Sequence, residues 1–461
     1  MAAPARPVFR IVLAAALTFS LVLQPGRAAA QFAPGDYLVR DTEIEDILRR
    51  QVTPLFDAAG IDSKSIQIVL VASREPNASA GPGVMMVTTS LILQADNPNQ
   101  LQGVMAHEIG HLAGGHSFRS GEYSRAGMVP MILTMGLGVL AAIAGSGDAA
   151  AGLISSAPMF GAIGAAGYGR EQEARADQAG ATYMEKAGLS ARGLVEFLDK
   201  NRYQEIFNQY RRFRYFIDHP LSSERVESLQ TRVATLPHYY VKDSPRSVSE
   251  HEIMKAKLDG FINPVVSMGK YDEKDMSYPA RYARAIAYYQ MKEPEKALKR
   301  VDALLAEQPN NPYLWELKGQ IMFEFGQVEG AEAPQRRSVE LRPNAPLLRI
   351  NLGQTLIALG NRAKTEEGIA ELKKALTQEE DNAAAWRVLA EAYDKHGDEG
   401  LARLATAEYD YNIGNMKLAR EFAIRARERL SKDSPEWRRA TDIVLVSKPT
   451  PDEERRIAGG G

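Results

Sequence analysis

The chain has 461 residues, of which 45% are hydrophobic and 25% are charged, and it contains no cysteine. This is ordinary globular composition, and the length favours about three domains. The absence of cysteine excludes disulfides, cysteine-ligated metal sites and cysteine catalysis. The formal net charge is -2, and a chain so balanced in charge is not expected to bind nucleic acid.

Residues 1–30 have the pattern of a secretory signal peptide. Two arginines precede an apolar run at residues 11–23, and an Ala-x-Ala sequence ends at Ala30. We predict cleavage after Ala30 and a periplasmic location. A retained membrane anchor is the alternative, whereas a lipoprotein is excluded because there is no cysteine to carry the lipid.

The segment that follows predicts a mixture of helices and short strands. Residues 41–59 have helical spacing with an interruption at Pro54. Residues 66–72 and 84–88 read as strands, with a turn at residues 77–83 between them. A further helix begins near Gln100 and runs through His111.

The sequence His107-Glu108-Ile109-Gly110-His111 is an HExxH motif. On a helix, two histidines four positions apart project from the same face, as two ligands of one zinc ion require. Glu108 lies about 100° around the helix, near enough to act on a water molecule at the metal. We therefore predict that His107 and His111 bind zinc and that Glu108 is the general base.

A catalytic zinc needs a third protein ligand. His116 is one residue too early for the spacing HExxHxxGxxH, and one residue turns a side chain by about 100°, so we predict a structural or supporting role for it. Glu173 and Asp177 share one helix face and offer an alternative. Glu173 can bind the metal while Asp177 accepts a hydrogen bond from a ligating histidine. The competing interpretation is a solvated acidic face paired with nearby arginines.

From about residue 250 the sequence changes to helix pairs with an internal repeat. Proline and glycine recur 34 residues apart, at Pro309 and Pro343, Pro312 and Pro346, Gly319 and Gly353, and Gly326 and Gly360. Thirty-four residues is the tetratricopeptide (TPR) period. A degenerate third copy carries Trp386, Ala390, Tyr393 and Gly397. Such repeats stack into a solenoid whose extended face binds peptides or proteins.

The motif GVMAHEIGHLAGGH, followed some sixty residues later by Arg170, Glu173 and Asp177, resembles the Ste-twenty-four/HtpX-type zinc metallopeptidases. The downstream segment His219-Pro220-Leu221-Ser222-Ser223-Glu224-Arg225 also matches. With a signal peptide before it and TPR units behind it, the chain is most similar to the periplasmic members that act in outer-membrane assembly. The fold this implies is mainly α: a gluzincin-type metallopeptidase domain of helices and a small β-sheet, followed by an α-solenoid of TPR repeats.

The resemblance also implies roles for single residues. Glu173 is the third ligand of one zinc ion per chain, and His219 can reach the metal as a fourth ligand that holds the enzyme latent. His219 can instead act catalytically, as a donor to the oxyanion. The sequence leaves these two roles open. The remaining histidines, His238, His251 and His396, are expected to be ordinary.

These arguments give four segments: a signal peptide at 1–30, a zinc metallopeptidase domain at 31–247, a TPR-like domain at 248–447 and a disordered tail at 448–461. Within the second, residues 128–167 are apolar and rich in glycine and alanine. We expect a buried helical hairpin packed over the active-site cleft, or a mobile lid. Contact with a membrane surface and a true membrane span are the alternatives.

The predicted function is that of an exported zinc-dependent endopeptidase. By resemblance, its substrates are misfolded or stalled outer-membrane and periplasmic proteins, and the TPR face docks substrates or the outer-membrane assembly machinery. The alternative is a TPR chaperone or scaffold for outer-membrane assembly whose protease activity is latent.

Overall fold

The computed structural model describes residues 35–116, 120–143, 147–207, 219 and 223–448. The predicted signal peptide at 1–30 lies outside these residues, as does the predicted tail from residue 449 onward. The chain divides into two compact units, one formed by residues 43–258 and the other by residues 259–448 with 35–42. The predicted domain limit at residue 247 falls inside the helix Pro245–Ile262 and stays a prediction.

The strands are β1 (Tyr37–Val39), β2 (Gln67–Ala72), β3 (Ala78–Gly81) and β4 (Val84–Thr88). β2 and β4 run parallel, with Gln67 opposite Val84 and Val71 opposite Thr88. β3 pairs antiparallel with the other side of β4, with Ala78 opposite Val87. The two predicted strands are therefore confirmed as β2 and β4.

The turn predicted at residues 77–83 is wrong for most of its length, because Ala78–Gly81 forms strand β3. Alanine, serine and glycine give little strand signal by themselves. Pairing with β4 supplies the backbone hydrogen bonds, and the buried side chains of Ala78 and Ala80 fit close to the core. The reversal is confined to the Pro82-Gly83 pair, where Gly83 has a φ of +78°, which favours glycine.

Eight helices are described in or across residues 43–258: α1 (Thr42–Ala59), α2 (Thr89–Gln94), α3 (Pro98–Ala113), α4 (Ser120–Ile143), α5 (Gly147–Lys186), α6 (Arg192–Phe207), α7 (Ser223–Val233) and α8 (Pro245–Ile262). Helix α1 continues through Pro54 without the predicted interruption. Proline removes one backbone hydrogen bond from the helix. The neighbouring side chains of Leu55 and Phe56 are fully buried, and their packing stabilises the helical turn at this position.

Helix α3 is the central helix of this unit, since it packs against α5, α6 and strand β3. Asn97 caps its first turn by accepting a hydrogen bond from the amide of Gln100, and Pro98 occupies the first helical position. Every residue from Pro98 to Gly110 is buried. The helix that carries the HExxH motif is thus held in the core, which fixes the direction of its side chains.

Helices α4 and α5 pack along each other as the predicted hairpin, but its expected burial is wrong for the described side chains. Small residues such as Ala157 face inward, while large apolar residues on both helices point outward. No helix among the described residues meets the length and apolarity needed to cross a membrane.

The second unit consists of helix after helix: α9 (Pro264–Lys270), α10 (Tyr278–Gln290), α11 (Pro294–Glu307), α12 (Pro312–Glu324), α13 (Val328–Leu341), α14 (Pro346–Ala358), α15 (Arg362–Leu376), α16 (Ala383–His396), α17 (Glu399–Asn412), α18 (Met416–Arg427) and α19 (Pro435–Val446). Each helix packs mainly against its neighbours in sequence. This is the arrangement expected of stacked TPR units, and the mainly α fold with a small sheet is confirmed.

The repeated residues occupy equivalent places in successive pairs. Pro312 and Pro346 both stand in the first turn of a helix. A Cβ atom on Gly319 would lie 2.6 Å from the Gln335 side chain, so glycine lets the paired helices α12 and α13 approach. Gly326 has a φ of +79° and ends α12 in the left-handed conformation, as Gly360 does after α14. The period of 34 residues therefore has a packing cause.

Candidate metal centre

Helix α3 presents the HExxH residues from a buried face. His107 is fully buried and Glu108 is 2% exposed. The Nε2 atoms of His107 and His111 lie 3.0 Å apart, so both imidazoles point to the same place, as their spacing on a helix predicts.

Glycines allow α5 to cross α3 at short range. A Cβ atom on Gly110 of α3 would lie 2.7 Å from the carbonyl oxygen of Ala176, and one on Gly180 of α5 would lie 3.0 Å from the amide of His107. No larger side chain fits at either position without a shift of backbone. This close crossing brings the acidic side chains of α5 to the histidines of α3.

Glu173 and His219 complete the cluster. Glu173 Oε1 lies 3.1 Å from His111 Nε2, and Glu173 Oε2 lies 3.4 Å from His107 Nε2. His219 Nδ1 lies 3.3 Å from His107 Nε2 and 3.1 Å from each carboxylate oxygen of Glu173. One ligand atom from each of these four residues falls within 4.8 Å of the others. The structure thus brings together all four residues that the sequence singled out as ligands.

The donors fit a metal ion of the zinc type. Imidazole nitrogen and carboxylate oxygen are both common zinc ligands, and the cluster offers three of the first and one of the second. The carboxyl oxygen Oε1 of Glu108 is buried and has no hydrogen-bond partner among the described residues, although it lies 3.5 Å from His219 Nε2. A buried polar atom of this kind is costly unless the site supplies a partner for it. A metal with its water would do so.

Asp177 and Arg225 contact the ligand residues on the side away from the proposed metal position. Asp177 Oδ1 lies 2.8 Å from Nδ1 of His107, the ring nitrogen that faces away from the other ligands. Arg225, on α7, contacts Asp177 through Nε at 2.6 Å and Nη2 at 3.0 Å, and it reaches Glu173 Oε2 through Nη1 at 3.0 Å. The predicted position of Asp177 behind a histidine is what the structure has. The sequence alone does not predict these contacts of Arg225, although the residue belongs to the segment from His219 to Arg225 that matches the metallopeptidases.

The competing interpretation of Glu173 and Asp177 as a solvated acidic face is wrong. Glu173 is 5% exposed and Asp177 is 1% exposed. Arg175 pairs instead with Glu171 at 2.6 Å, on the outer side of α5. The buried side of the same helix therefore keeps its carboxylates for the histidines and for Arg225.

His116 lies beside the cluster and not in it. Its Nδ1 atom is 2.7 Å from Nδ1 of His111, the nitrogen that faces away from Glu173. This contact orients the His111 ring and agrees with the supporting role predicted for His116. The other three histidines lie elsewhere: His238 contacts Glu185, His251 contacts the carbonyl of Ala95, and His396 contacts Asp398.

Burial and neighbouring charges shift the pKa values of the cluster in different directions. Burial lowers the pKa of His111 to about 4, so its imidazole is neutral. Burial opposes the charged form of His107, but the bonds to Asp177 and Glu173 outweigh it and raise its pKa to about 10. Burial raises the pKa of Glu108. The imidazoles overcome the burial of Glu173 and hold its pKa below the usual range, which keeps that carboxylate ionised.

Strand β3 lies next to this centre, in contact with α3. One edge of β3 pairs with β4, and no described strand pairs with the other edge. Extended peptides can bind at the edge of a sheet through backbone hydrogen bonds.

Comparison with known proteins identifies the peptidase half. Residues 40–233 match the model of peptidase family M48, and residues 282–346 match a tetratricopeptide repeat. The chain is a metalloprotease whose residues 40–233 are similar to peptidase family M48 and are followed by a TPR region. The M48 metallopeptidases depend on a metal, which agrees with the cluster of His107, His111, Glu173 and His219.

Several curated proteins are similar over much of their length. The beta-barrel assembly-enhancing protease of Escherichia coli is 24% identical over 381 residues, which cover 76% of each chain. The protein of the same name from Yersinia pestis is 25% identical over 349 residues, 71% of this chain and 70% of the relative. Metalloprotease YcaL of Escherichia coli is 31% identical over 148 residues, 30% of this chain and 51% of the relative.

Proposed function

We propose that this protein is an exported zinc-dependent endopeptidase that degrades misfolded or stalled outer-membrane and periplasmic proteins, and that its TPR region is the docking domain. The observation that carries the proposal is the convergence of three imidazoles and one carboxylate beside the buried Glu108 carboxyl. Similarity to proteases named for β-barrel assembly supports the substrate class.

His107, His111 and Glu173 would hold the zinc, one ion per chain. Asp177 would keep the His107 ring turned so that Nε2 faces the metal, and the Arg225 contact would keep Asp177 ionised and in place. A zinc ion at this position would lower the pKa of a water molecule to about 7 and polarise the scissile carbonyl.

Glu108 would act as the general base and then as the acid. Its free Oε1 would take the proton of the attacking water and pass it to the leaving amine. Burial raises the pKa of this carboxyl, which makes it a stronger proton acceptor than an exposed glutamate. A position 2% exposed also excludes bulk water from the proton transfer.

His219 would hold the enzyme latent. The distances of 3.1 to 3.3 Å from its Nδ1 to Glu173 and His107 support a fourth-ligand position, and a closed shell of four protein ligands activates no water. Its Nε2 lies 3.5 Å from Glu108, so moving His219 away would also free the base. In its other role, His219 would donate to the oxyanion of the tetrahedral intermediate.

An extended substrate would lie along the edge of β3 that faces away from β4. The small side chains of Ala78, Ser79 and Ala80 leave room for bulky substrate residues next to the strand. Backbone pairing of this kind is tolerant of sequence, which suits an enzyme that degrades many unfolded proteins.

The TPR region offers a groove for docking. A cavity of about 470 Å³ is lined by apolar and aromatic side chains, among them Trp386, Tyr393 and Leu401, with Glu380 and Glu436 also on its lining. A groove of this size takes one or two side chains of an extended segment. It supports docking of a substrate or of the outer-membrane assembly machinery.

The test of the proposed activity is Glu108→Gln. An amide cannot accept the water's proton, so hydrolysis of an unfolded protein should fall by about 10² to 10⁴, while zinc content and circular dichroism stay unchanged. Chelation of zinc should abolish hydrolysis by the wild type, and added zinc should restore it. Normal hydrolysis by Glu108→Gln would rule out this mechanism.

The second candidate function is a TPR chaperone or scaffold for outer-membrane assembly with latent protease activity. The position of His219 among the ligands favours latency, and the TPR groove favours binding. The same variant separates the two candidates in cells. If Glu108→Gln supports outer-membrane assembly as well as the wild type does, the scaffold role alone accounts for the function of the protein in assembly.

A further inference from the structure

The hairpin of α4 and α5 exposes a large apolar surface that the proposed peptidase chemistry does not use. Ten large apolar side chains on it are at least 41% exposed: Met128, Val129, Ile132, Leu133, Met135 and Leu137 on α4, and Ile154, Met159, Phe160 and Ile163 on α5. Soluble proteins seldom expose contiguous apolar surface on this scale without a binding partner.

The exposed apolar surface is broader than the stripe through which a helix typically packs on protein. At 100° per residue, the exposed apolar residues of α4 from Met128 to Leu137 span an arc of about 200° around the helix. A helix that packs on a protein surface presents an apolar stripe of about 100°. Lipid acyl chains, in contrast, can surround a helix on all the sides that its partner helix leaves open.

Three hydroxyl groups among the described residues of the hairpin are hydrogen-bonded within their own helices. The hydroxyls of Thr134, Ser155 and Ser156 donate to the carbonyls of Pro130, Gly152 and Leu153 in their own helices, at 2.8, 3.0 and 3.0 Å. In hydrocarbon every polar group must be satisfied internally in this way.

Charge marks the limits of the apolar surface. Between Arg125 and Arg170 the sequence has one charged residue, Asp148. Both arginines are exposed. Their long side chains can reach lipid phosphates while the helices beyond them contact acyl chains.

We propose that the α4–α5 hairpin inserts its exposed apolar surface into the surface of a phospholipid bilayer without crossing it. Helix α5 carries Ile163 at the lipid surface and Glu173 in the metal centre, ten residues apart, which is about 15 Å of helix. Insertion would therefore hold the candidate metal centre near the membrane. For substrates, and resting on the proposed peptidase function, this favours unfolded segments that lie at a membrane surface.

The absence of cysteine makes a site-specific test simple. Leu133→Cys, labelled with the fluorophore NBD in the full chain, is mixed with vesicles of phosphatidylethanolamine and phosphatidylglycerol in a 3:1 ratio. We expect a blue shift of the emission and its quenching by lipids brominated on the acyl chains. Val265→Cys on α9, an equally apolar position that is 73% exposed, is the control and should show neither change. Ile132→Glu added to the labelled Leu133→Cys chain should abolish both.

Three outcomes would overturn the proposal: no shift with vesicles, an equal shift at Val265→Cys, or a blue-shifted emission without vesicles that brominated lipid does not quench. The last would mean that protein, such as a second copy of the chain, covers the hairpin. The NBD fluorescence does not depend on catalysis, so insertion can be measured even if the metal centre is inactive. Failure of insertion leaves the chelator and Glu108→Gln tests of the peptidase unaffected.

Discussion

The charged groups of the metal centre and those of the solenoid differ in exposure. The side chains of Glu173, Asp177 and Arg225 in the metal centre are at most 6% exposed. In the solenoid, the side chains of Arg336 and its partners Glu332 and Glu367 are 20% to 40% exposed. The separations along the chain differ as well. Arg336 is 31 residues from Glu367, close to one repeat, but His107 is 112 residues from His219. The Arg336 cluster joins neighbouring repeats at the surface, and the charges of the metal centre join distant segments inside the core.

The difference explains why the two regions depend on their charges differently. A partly exposed pair is screened by water and adds little to stability. A buried carboxylate without its partner costs several kcal/mol, because water cannot reach it. The metal centre should therefore be sensitive to single substitutions, and the partly exposed Arg336 cluster should tolerate them.

The largest effect is expected from removing a ligand. His107→Ala and Glu173→Ala should each lose the zinc and with it all hydrolysis of unfolded protein, because each variant lacks one of the three proposed zinc ligands and should bind the metal much more weakly. Zinc per chain is measured by elemental analysis after dialysis. The solenoid, which has no share in the cluster, should keep its helical circular dichroism. If Glu173→Ala retains both zinc and activity, the third ligand is elsewhere, and His116 is the next residue to test.

The next largest effect is expected at His219, which belongs to the cluster but lies on neither α3 nor α5. Its removal is compared with the removal of the ligands on those helices. His219→Ala should raise basal proteolysis, because it opens a position on the metal, while zinc stays near one per chain. Activity against unfolded protein is measured in the absence of partners. If His219 is instead the oxyanion donor, activity should fall by about 10² to 10³ with zinc retained, and the latch is then excluded.

Arg225 and Arg336 test the comparison of buried and exposed charge directly. Arg225→Met should destabilise the peptidase unit by about 3 to 5 kcal/mol, because the buried carboxylates of Asp177 and Glu173 both lose the arginine that they contact. Arg336→Met should cost less than about 1 kcal/mol. Hydrogen exchange followed by mass spectrometry reports each region separately, through peptides from α3 and α5 for one variant and from α13 for the other. Similar losses of protection would contradict the distinction.

Much of this contrast is visible in the sequence, since HExxH and the period of 34 residues are local patterns. His107 and His111 share a face because of their spacing, and Gly326 and Gly360 end helices because of their conformation. The contacts of Arg225 could not be predicted in the same way. It lies 48 residues from Asp177, and nothing between them indicates that α7 returns to α5.

Strand β3 and the α4–α5 hairpin were harder to predict for a different reason. The small residues of β3 resemble a turn, and only pairing with β4 makes them a strand. The hairpin is helical as expected, but its apolar composition does not distinguish packing on the protein from contact with a membrane. In both cases the local sequence is compatible with more than one structure or environment, and contacts with other parts of the molecule or with a partner decide between them.

The smallest effect concerns His251, a buried group of the peptidase unit that lies outside the motifs. Burial lowers its pKa to about 4, with Lys255 lowering it further and the Ala95 carbonyl and Asp96 raising it. In the unfolded chain a histidine has a pKa of about 6.5, so the unfolded state binds more protons between pH 6.5 and 4. Stability is therefore full above pH 6.5 and falls as the pH drops toward 4, by at most on the order of 3 kcal/mol. His251→Gln, whose amide can still donate to Ala95, should reduce this dependence. Unfolding of both proteins by urea at pH 7.5 and 4.5 measures the difference, and equal losses would show that His251 is not the group that titrates.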